Sequence, residues 1–170
     1  RIMVVEVMGR YAGWIALESG VAGTADVILI PEIPYDINKI AARIIEREGW
    51  GRHFSIVVVA EGAKPVGGEL TIKGKSIGQA ERLGGVGETI TRQLEELTGK
   101  EARCVVLGHL QRGGMPTPYD RLISLRFGAA AIRALEDGVS GVMVALDPPL
   151  VKYVPLAEAT KRLKTVPLDC

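Results

Sequence analysis

Cysteine is scarce in this sequence of 170 residues: Cys104 lies inside an apolar run and Cys170 at the terminus. Two thiols so placed indicate neither a disulfide framework nor a zinc cluster, and a reducing cytoplasm is the expected setting. Long apolar runs are missing as well. Ile56 to Ala60 and Val27 to Ile30 fall far short of the roughly 20 residues that span a bilayer, so no membrane is expected. Charge of one sign is also lacking. Lysine and arginine number 21 against 20 acidic residues, for a net charge of +1, which leaves no electrostatic footprint for nucleic acid. Glycine pairs stand at 67–68, 84–85 and 113–114, yet none forms GxxxxGK[ST] or GxGxxG, so no nucleotide loop is present. Ser76, Ser124 and Ser140 lack the strand-turn-helix setting of a nucleophile elbow. No signal-peptide pattern opens the sequence; Arg1 runs straight into a strand-like stretch, which reads as an excised fragment.

Short β-branched runs alternate with longer amphipathic stretches. That pattern predicts an α/β fold, a layered and mostly parallel sheet with helices on both faces. Ile2 to Val7 is continuous enough in apolar residues for a strand buried on both sides, and a helix is expected from about Gly13 to Ala22. Val27 to Ile30 is a second strand, closed by Pro31. Asp36 offers an N-cap to a helix whose Ile37, Ile40, Ala41, Ile44 and Ile45 keep helical spacing. Phe54 to Ala60 is a third strand. Residues 61–87 are rich in glycine, with a hairpin around Leu70 to Ile77. Glu88 to Thr98 carries Ile90, Leu94 and Leu97 on one face and stops at Gly99. Arg103 to Leu107 is again a buried strand, with Cys104 as a small buried hydrophobe, and a glycine-rich turn follows. Tyr119 to Asp137 is helical through Leu122, Leu125, Ala129, Ile132 and Leu135. Val142 to Leu146 and Val151 to Val154 are strands, and Leu156 to Leu163 a last short helix.

Three polar features sit where strands end, the place where open α/β sheets bind ligands. Met8-Gly9-Arg10 follows the first strand, with Gly9 allowing a tight bend; it is a ligand turn or a surface turn with a solvated arginine. Glu61 follows the third strand and suits sugar hydroxyls; the alternative is a structural or solvated carboxylate. Gly108-His109-Leu110-Gln111-Arg112-Gly113-Gly114 follows Leu107. There His109 is a donor that can carry charge, and Arg112 a planar fork matched to phosphate oxygens. A phosphate dianion fits this loop better than a metal, because no second ligand stands at ligand spacing beside His109. The alternative is a satisfied core histidine beside a surface arginine.

The stretches Val4-Val5-Glu6-Val7-Met8-Gly9-Arg10, Ile30-Pro31-Glu32 and Leu107 to Gly114, followed by Pro116 and Asp120-Arg121, closely resemble the C-terminal half of the phosphofructokinases. The resemblance covers essentially the whole chain. It implies a protein that transfers a phosphoryl group from magnesium ATP, or from pyrophosphate, to the 1-hydroxyl of fructose 6-phosphate in glycolysis. By matching positions, Met8, Gly9 and Arg10 would contact the sugar phosphate, Arg10 also neutralising charge at the transferred group. Glu61 would hold hydroxyls, and the His109-Leu110-Gln111-Arg112 loop would grip the 6-phosphate. Arg1 and Arg103 would reach that phosphate in a neighbouring subunit, so the site would be shared within a homodimer or homotetramer. Residues 1–116 would form the sugar-phosphate body, and 117–170 would lean on a nucleotide-binding half.

The family's TxDND-type motif, which carries the catalytic aspartate, does not occur here, nor does its N-terminal glycine-rich loop. The resemblance therefore implies that Mg2+ and the donor bind mainly to the other half and that this chain alone is inactive. Ala22 to Asp26 and Trp50-Gly51-Arg52-His53 depart from the effector-site stretches of bacterial allosteric members. Gly13-Trp14-Ile15-Ala16 and Glu61 to Pro65 look instead like the subgroup with pyrophosphate-using and mixed members. The rival expectation is a sugar-phosphate-binding or assembly domain without catalysis.

Overall fold

The computed structural model describes residues 1–69, 72–74 and 82–169. In chain order the elements are β1 (Ile2–Val7), α1 (Trp14–Ala22), β2 (Val27–Leu29), α2 (Ile37–Gly49), β3 (Ser55–Ala60), β4 (Ile72–Gly74), β5 (Arg82–Leu83), α3 (Val86–Thr98), β6 (Ala102–Val106), a 3-10 helix (Gly108–Arg112), α4 (Pro118–Glu136), β7 (Val142–Asp147), β8 (Leu150–Pro155) and α5 (Leu156–Ala159). They form two compact units, Arg1–Arg112 with Lys164–Cys170, and Gly113–Leu163.

The first unit is built on a four-stranded sheet in the order β2-β3-β1-β6, and every pairing in it is parallel. Side chains alternate across such a sheet, so β1 and β3 feed two separate cores. Ile2, Val4, Val57 and Val59 pack with Ile40 and Ile44 of α2 and Val86, Ile90 and Leu94 of α3. On the opposite face Val7, Val58 and Ala60 pack with Ala16 of α1, Ile30 and Val166. Helices thus cover both faces, as the sequence predicts. Full burial of Ile90 or Leu94 contributes about 2 kcal/mol each, more than any exposed ion pair here. The terminal residues return to this unit through hydrogen bonds: the Trp14 indole N–H donates to the Lys164 carbonyl (2.9 Å), and the Val166 N–H to Glu32 (2.8 Å).

Several expectations need correction. β6 is an edge strand rather than a buried one: Val105 and Val106 are each 42% exposed, and Cys104 is half-buried. Among the described residues β1 is its one strand neighbour. Leu97 is exposed at the end of α3, beyond the reach of the core. The glycine-rich turn after β6 is a 3-10 helix. Of the stretch read as a hairpin around Leu70 to Ile77, Ile72–Gly74 is a strand, but its antiparallel partner is Arg82–Leu83; the remainder lies outside the described residues.

In the second unit β7 and β8 pair antiparallel in full register from Val142↔Pro155 to Asp147↔Leu150. α4 starts in a capping box, Thr117 with Asp120, and has Pro118 in its first turn. It turns Ala130 and Ala134 inward, and the Tyr153 hydroxyl donates to the Ala130 carbonyl (2.8 Å). The residues predicted as its core face, Leu122, Leu125, Ile132 and Leu135, are exposed instead. The helix is apolar on two sides, and the hairpin covers the small-residue side. α5 is a single turn rather than the eight residues predicted. The Thr160 hydroxyl donates back to the Leu156 carbonyl (2.8 Å), a local bond that competes with helix continuation.

Candidate functional site

β1 is where the strand order reverses, because the chain passes from it to β2 and β3 on one side and returns past it to β6 on the other. Three parallel strands side by side, β3, β1 and β6, therefore open their carboxyl ends onto one edge. All three polar features occupy that edge.

After β1, Gly9 takes φ +150, and a Cβ there would lie 2.9 Å from the Ala12 carbonyl oxygen. No other residue type allows the chain to bend so close. Arg10 follows, half-buried, its guanidinium 5.4 Å from the Tyr11 ring centroid. After β3, the Glu61 N–H donates to the Val7 carbonyl (2.9 Å) and the Gly62 N–H to the Gly9 carbonyl (3.0 Å). These bonds carry the pairing beyond the sheet and hold residues 61–62 beside 8–10. A Cβ on Gly62 would stand 1.9 Å from the Arg10 carbonyl oxygen, so the approach requires glycine.

After β6, the Leu107 N–H donates to the Glu6 carbonyl (3.0 Å) and the Leu110 N–H to the Leu107 carbonyl (3.1 Å), which starts the 3-10 helix. Gln111 ties it to β1. Its Oε1 accepts from the Met8 N–H (3.3 Å), and its Nε2 donates to the Gly108 carbonyl (3.1 Å). His109, Leu110 and Arg112 are exposed on this helix. A cleft of about 140 Å³ opens at the strand ends, lined by Glu6, Met8, Glu61, Gly84 and Gly108 among others. Met8, Gly9, Arg10, Glu61 and the His109–Arg112 helix thus gather on one edge, with cationic donors beside a carboxylate. This set can recognise a phosphorylated polyol.

Arg1 and Arg103 are not part of that gathering. They stand at the amino ends of β1 and β6, roughly 20 Å away by the rise of a six-residue strand. Both hold Glu101: Arg1 Nε at 2.8 Å and Arg103 Nη2 at 2.7 Å. The Arg103 hydrogen bond, then the Arg1 charge, hold the Glu101 carboxyl below the usual carboxylate range.

Near the same end, the departures at Ala22 to Asp26 and Trp50 to His53 border a second cleft of about 840 Å³. Asp26, Arg47 and Trp50 of its lining already have partners, and Arg52 and His53 line it as well. Asp26 is ion-paired with Arg47 (2.5 Å) and accepts from the Ile56 N–H (2.8 Å), while Trp50 stacks under Arg43 at 5.0 Å.

Sequence reasoning gave no role to Glu6 or Glu32. The Glu32 carboxylate accepts from the Gly13 N–H (3.1 Å to each oxygen) and from the Val166 N–H. Glu6 is only 3% exposed and accepts from Gly85 and Gly87. An acid inside an otherwise apolar strand is the signal that could have found it.

A family model described as phosphofructokinase matches residues 1–135. An ATP-dependent 6-phosphofructokinase of Chloroflexus aurantiacus is 55% identical over 166 residues, covering 98% of this chain and 45% of that protein. A pyrophosphate–fructose 6-phosphate 1-phosphotransferase of Streptomyces coelicolor is 51% identical over 168 residues, covering 98% of this chain and 49% of its own length. Among solved structures, a pyrophosphate-dependent phosphofructokinase from Nitrosospira multiformis superposes with a TM-score of 0.78 at 27% identity, covering 99% of this chain and 42% of that one. The chain spans about half the length of the curated relatives it matches.

Proposed function

The chain belongs to the phosphofructokinase family, and from that premise we propose that it is the sugar-phosphate-binding half of a cytoplasmic phosphotransferase acting on the 1-hydroxyl of fructose 6-phosphate. The observation that carries this reading is the convergence of Met8–Arg10, Glu61 and the His109–Arg112 helix at the carboxyl ends of three adjacent strands. His109 and Arg112 bind the 6-phosphate, Glu61 accepts from sugar hydroxyls, and Met8 and Gly9 line the sugar. Arg10 offsets charge on the moving phosphoryl group. Phosphoryl transfer asks the protein chiefly for positioning and charge neutralisation, and these residues supply the acceptor side of both. The base that takes the hydroxyl proton belongs to the other half.

The donor is ATP or pyrophosphate, since relatives of both kinds match this chain about equally. Magnesium accompanies the donor. Glu61 is one carboxylate in the cleft, and Glu6 is engaged by amides, so the described residues do not build an oxygen cage for the ion. In this reading residues 1–116 form the sugar-phosphate body, and most of 117–170 leans on the nucleotide-binding half, which the exposed Leu122, Leu125, Ile132 and Leu135 support. In this reading the second cleft departs from the effector site of bacterial allosteric members, since Trp50 stands in the stretch that carries lysines there and removes a charge.

Calorimetry of fructose 6-phosphate against the full-length oligomer tests the proposal. Saturable binding supports it. A protein without affinity for the sugar phosphate would instead be an assembly domain of the same fold.

A further inference from the structure

α3 begins without a cap of its own. Its first flanking residue, Gly85, sits at φ 85 with no side chain to accept from the helix's unpaired amides. The missing acceptor arrives from another element. The Glu6 carboxylate on β1 receives the Gly87 N–H (2.8 Å) and the Gly85 N–H (3.2 and 3.3 Å to its two oxygens), and so caps α3 from the sheet face on which it packs. Gly87 fits this contact closely. A Cβ there would stand 3.0 Å from the same Glu6 oxygen and 2.9 Å from the Cys104 sulfur.

Stability alone gives no reason for a carboxylate at this position. Its neighbours on the same face of β1, Ile2 and Val4, are fully buried and apolar, and a buried charge offers little net stability over a well-packed hydrophobe. What the carboxylate adds is a fixed position for the Gly84–Gly85 turn. Glu6, Met8, Glu61, Gly84 and Gly108 line one cleft, so this turn forms a wall of it. The Glu6 carbonyl also accepts from Leu107, at the entry to the helix that bears His109 and Arg112.

We propose that Glu6 is a positioning residue: it docks the amino end of α3 and the Gly84–Gly85 turn against the strand end carrying Met8, and so sets the wall of the sugar-phosphate cleft. This inference rests on the substrate reading above. Glu6 itself need not touch the substrate, since its oxygens already face amides.

The test is steady-state kinetics of the full-length enzyme with fructose 6-phosphate varied, combined with amide hydrogen exchange at Gly85 and Gly87. Glu6→Gln keeps the shape but loses one acceptor and the charge. It should raise KM about tenfold and leave kcat within about twofold, because a displaced wall weakens ground state and transition state alike. Exchange at both amides should speed up together with KM. Gly87→Ala pushes on the same contact from the other side and should reproduce the KM shift. Ile44→Val, a core change on α2, serves as the control, lowering Tm with KM unmoved. If Glu6→Gln behaves like Ile44→Val, with reduced Tm and wild-type KM, the positioning role is overturned while the substrate reading stands. If the wild-type protein neither binds nor turns over fructose 6-phosphate, the substrate reading falls, and this inference with it.

Discussion

Single residues at the strand ends divide into those that make the geometry and those that use it. Gly62 makes it. With a Cβ placed 1.9 Å from the Arg10 carbonyl oxygen, Gly62→Ala must push the 61–62 segment off the Gly9 strand end, lowering stability by about 1–3 kcal/mol, which a denaturant midpoint would register. Arg112 uses the geometry. It is exposed on the 3-10 helix, and in the proposed phosphate role it would act through a bidentate fork that a lysine does not reproduce. Arg112→Lys in the full-length enzyme should therefore weaken sugar-phosphate binding by roughly 1.5–3 kcal/mol, and an unchanged Michaelis constant would refute its role. The difference in sequence legibility is physical. Met8–Arg10, Glu61 and His109–Arg112 each directly follow an apolar run, so local pattern alone places them at strand ends. For Glu6 the local signal, an acid inside an apolar strand, marks an unusual residue but not its role, because the amide partners it caps lie 79 and 81 residues further along the chain.

At the scale of elements, the strands and helices that bury a face were readable to within a residue or two, since alternation and helical spacing record which side meets the core. Asp36 shows that local chemistry was readable as well: its carboxylate accepts from the Asn38 N–H (2.9 Å) at the start of α2. Asp36→Ala should lower the stability of the first unit by about 1 kcal/mol in thermal or denaturant unfolding. The elements misjudged are those whose setting is not local. β6 reads as buried but, among the described residues, has a strand neighbour on one side only, and α4 reads as having one core face but is apolar on two. α4 also offers a pH test. The Thr117 hydroxyl, then the Thr117 amide, hydrogen-bond the Asp120 carboxylate and hold its pKa below the ordinary value. A depressed folded value means that the capping box stabilises α4 above the unfolded pKa of about 3.9. That contribution is lost as pH falls through the folded value. Helicity followed by circular dichroism should accordingly drop later on acidification in the wild type than unfolded-state protonation alone would give, and Asp120→Asn should remove that pH dependence. Identical acid profiles for the two proteins would refute it.

For the whole molecule, the decisive fact is the distance between the two groups of arginines. Arg10 and Arg112 stand at the carboxyl edge of the sheet, whereas Arg1 and Arg103 stand at the amino edge, held by Glu101. A single phosphate is too small to touch both edges of one sheet. If all four serve the same ligand, as the family resemblance implies, then two chains must meet with the amino edge of one facing the carboxyl edge of the other. Arg103→Ala should then weaken fructose 6-phosphate binding in the assembled enzyme, although Arg103 is remote from the cleft of its own chain. Mixing subunits gives a sharper result. Chains bearing Arg103→Ala and chains bearing Arg112→Ala are each deficient, since every site in either homo-oligomer lacks one contact. In a mixed interface, one site combines the intact Arg112 of the first chain with the intact Arg103 of the second, while the other site lacks both. Reassembly of the two deficient proteins should therefore recover sites of wild-type affinity, read as a tight-binding fraction in a calorimetric titration. Were Arg103 acting within its own chain, every mixed site would keep one defect and no tight fraction would appear.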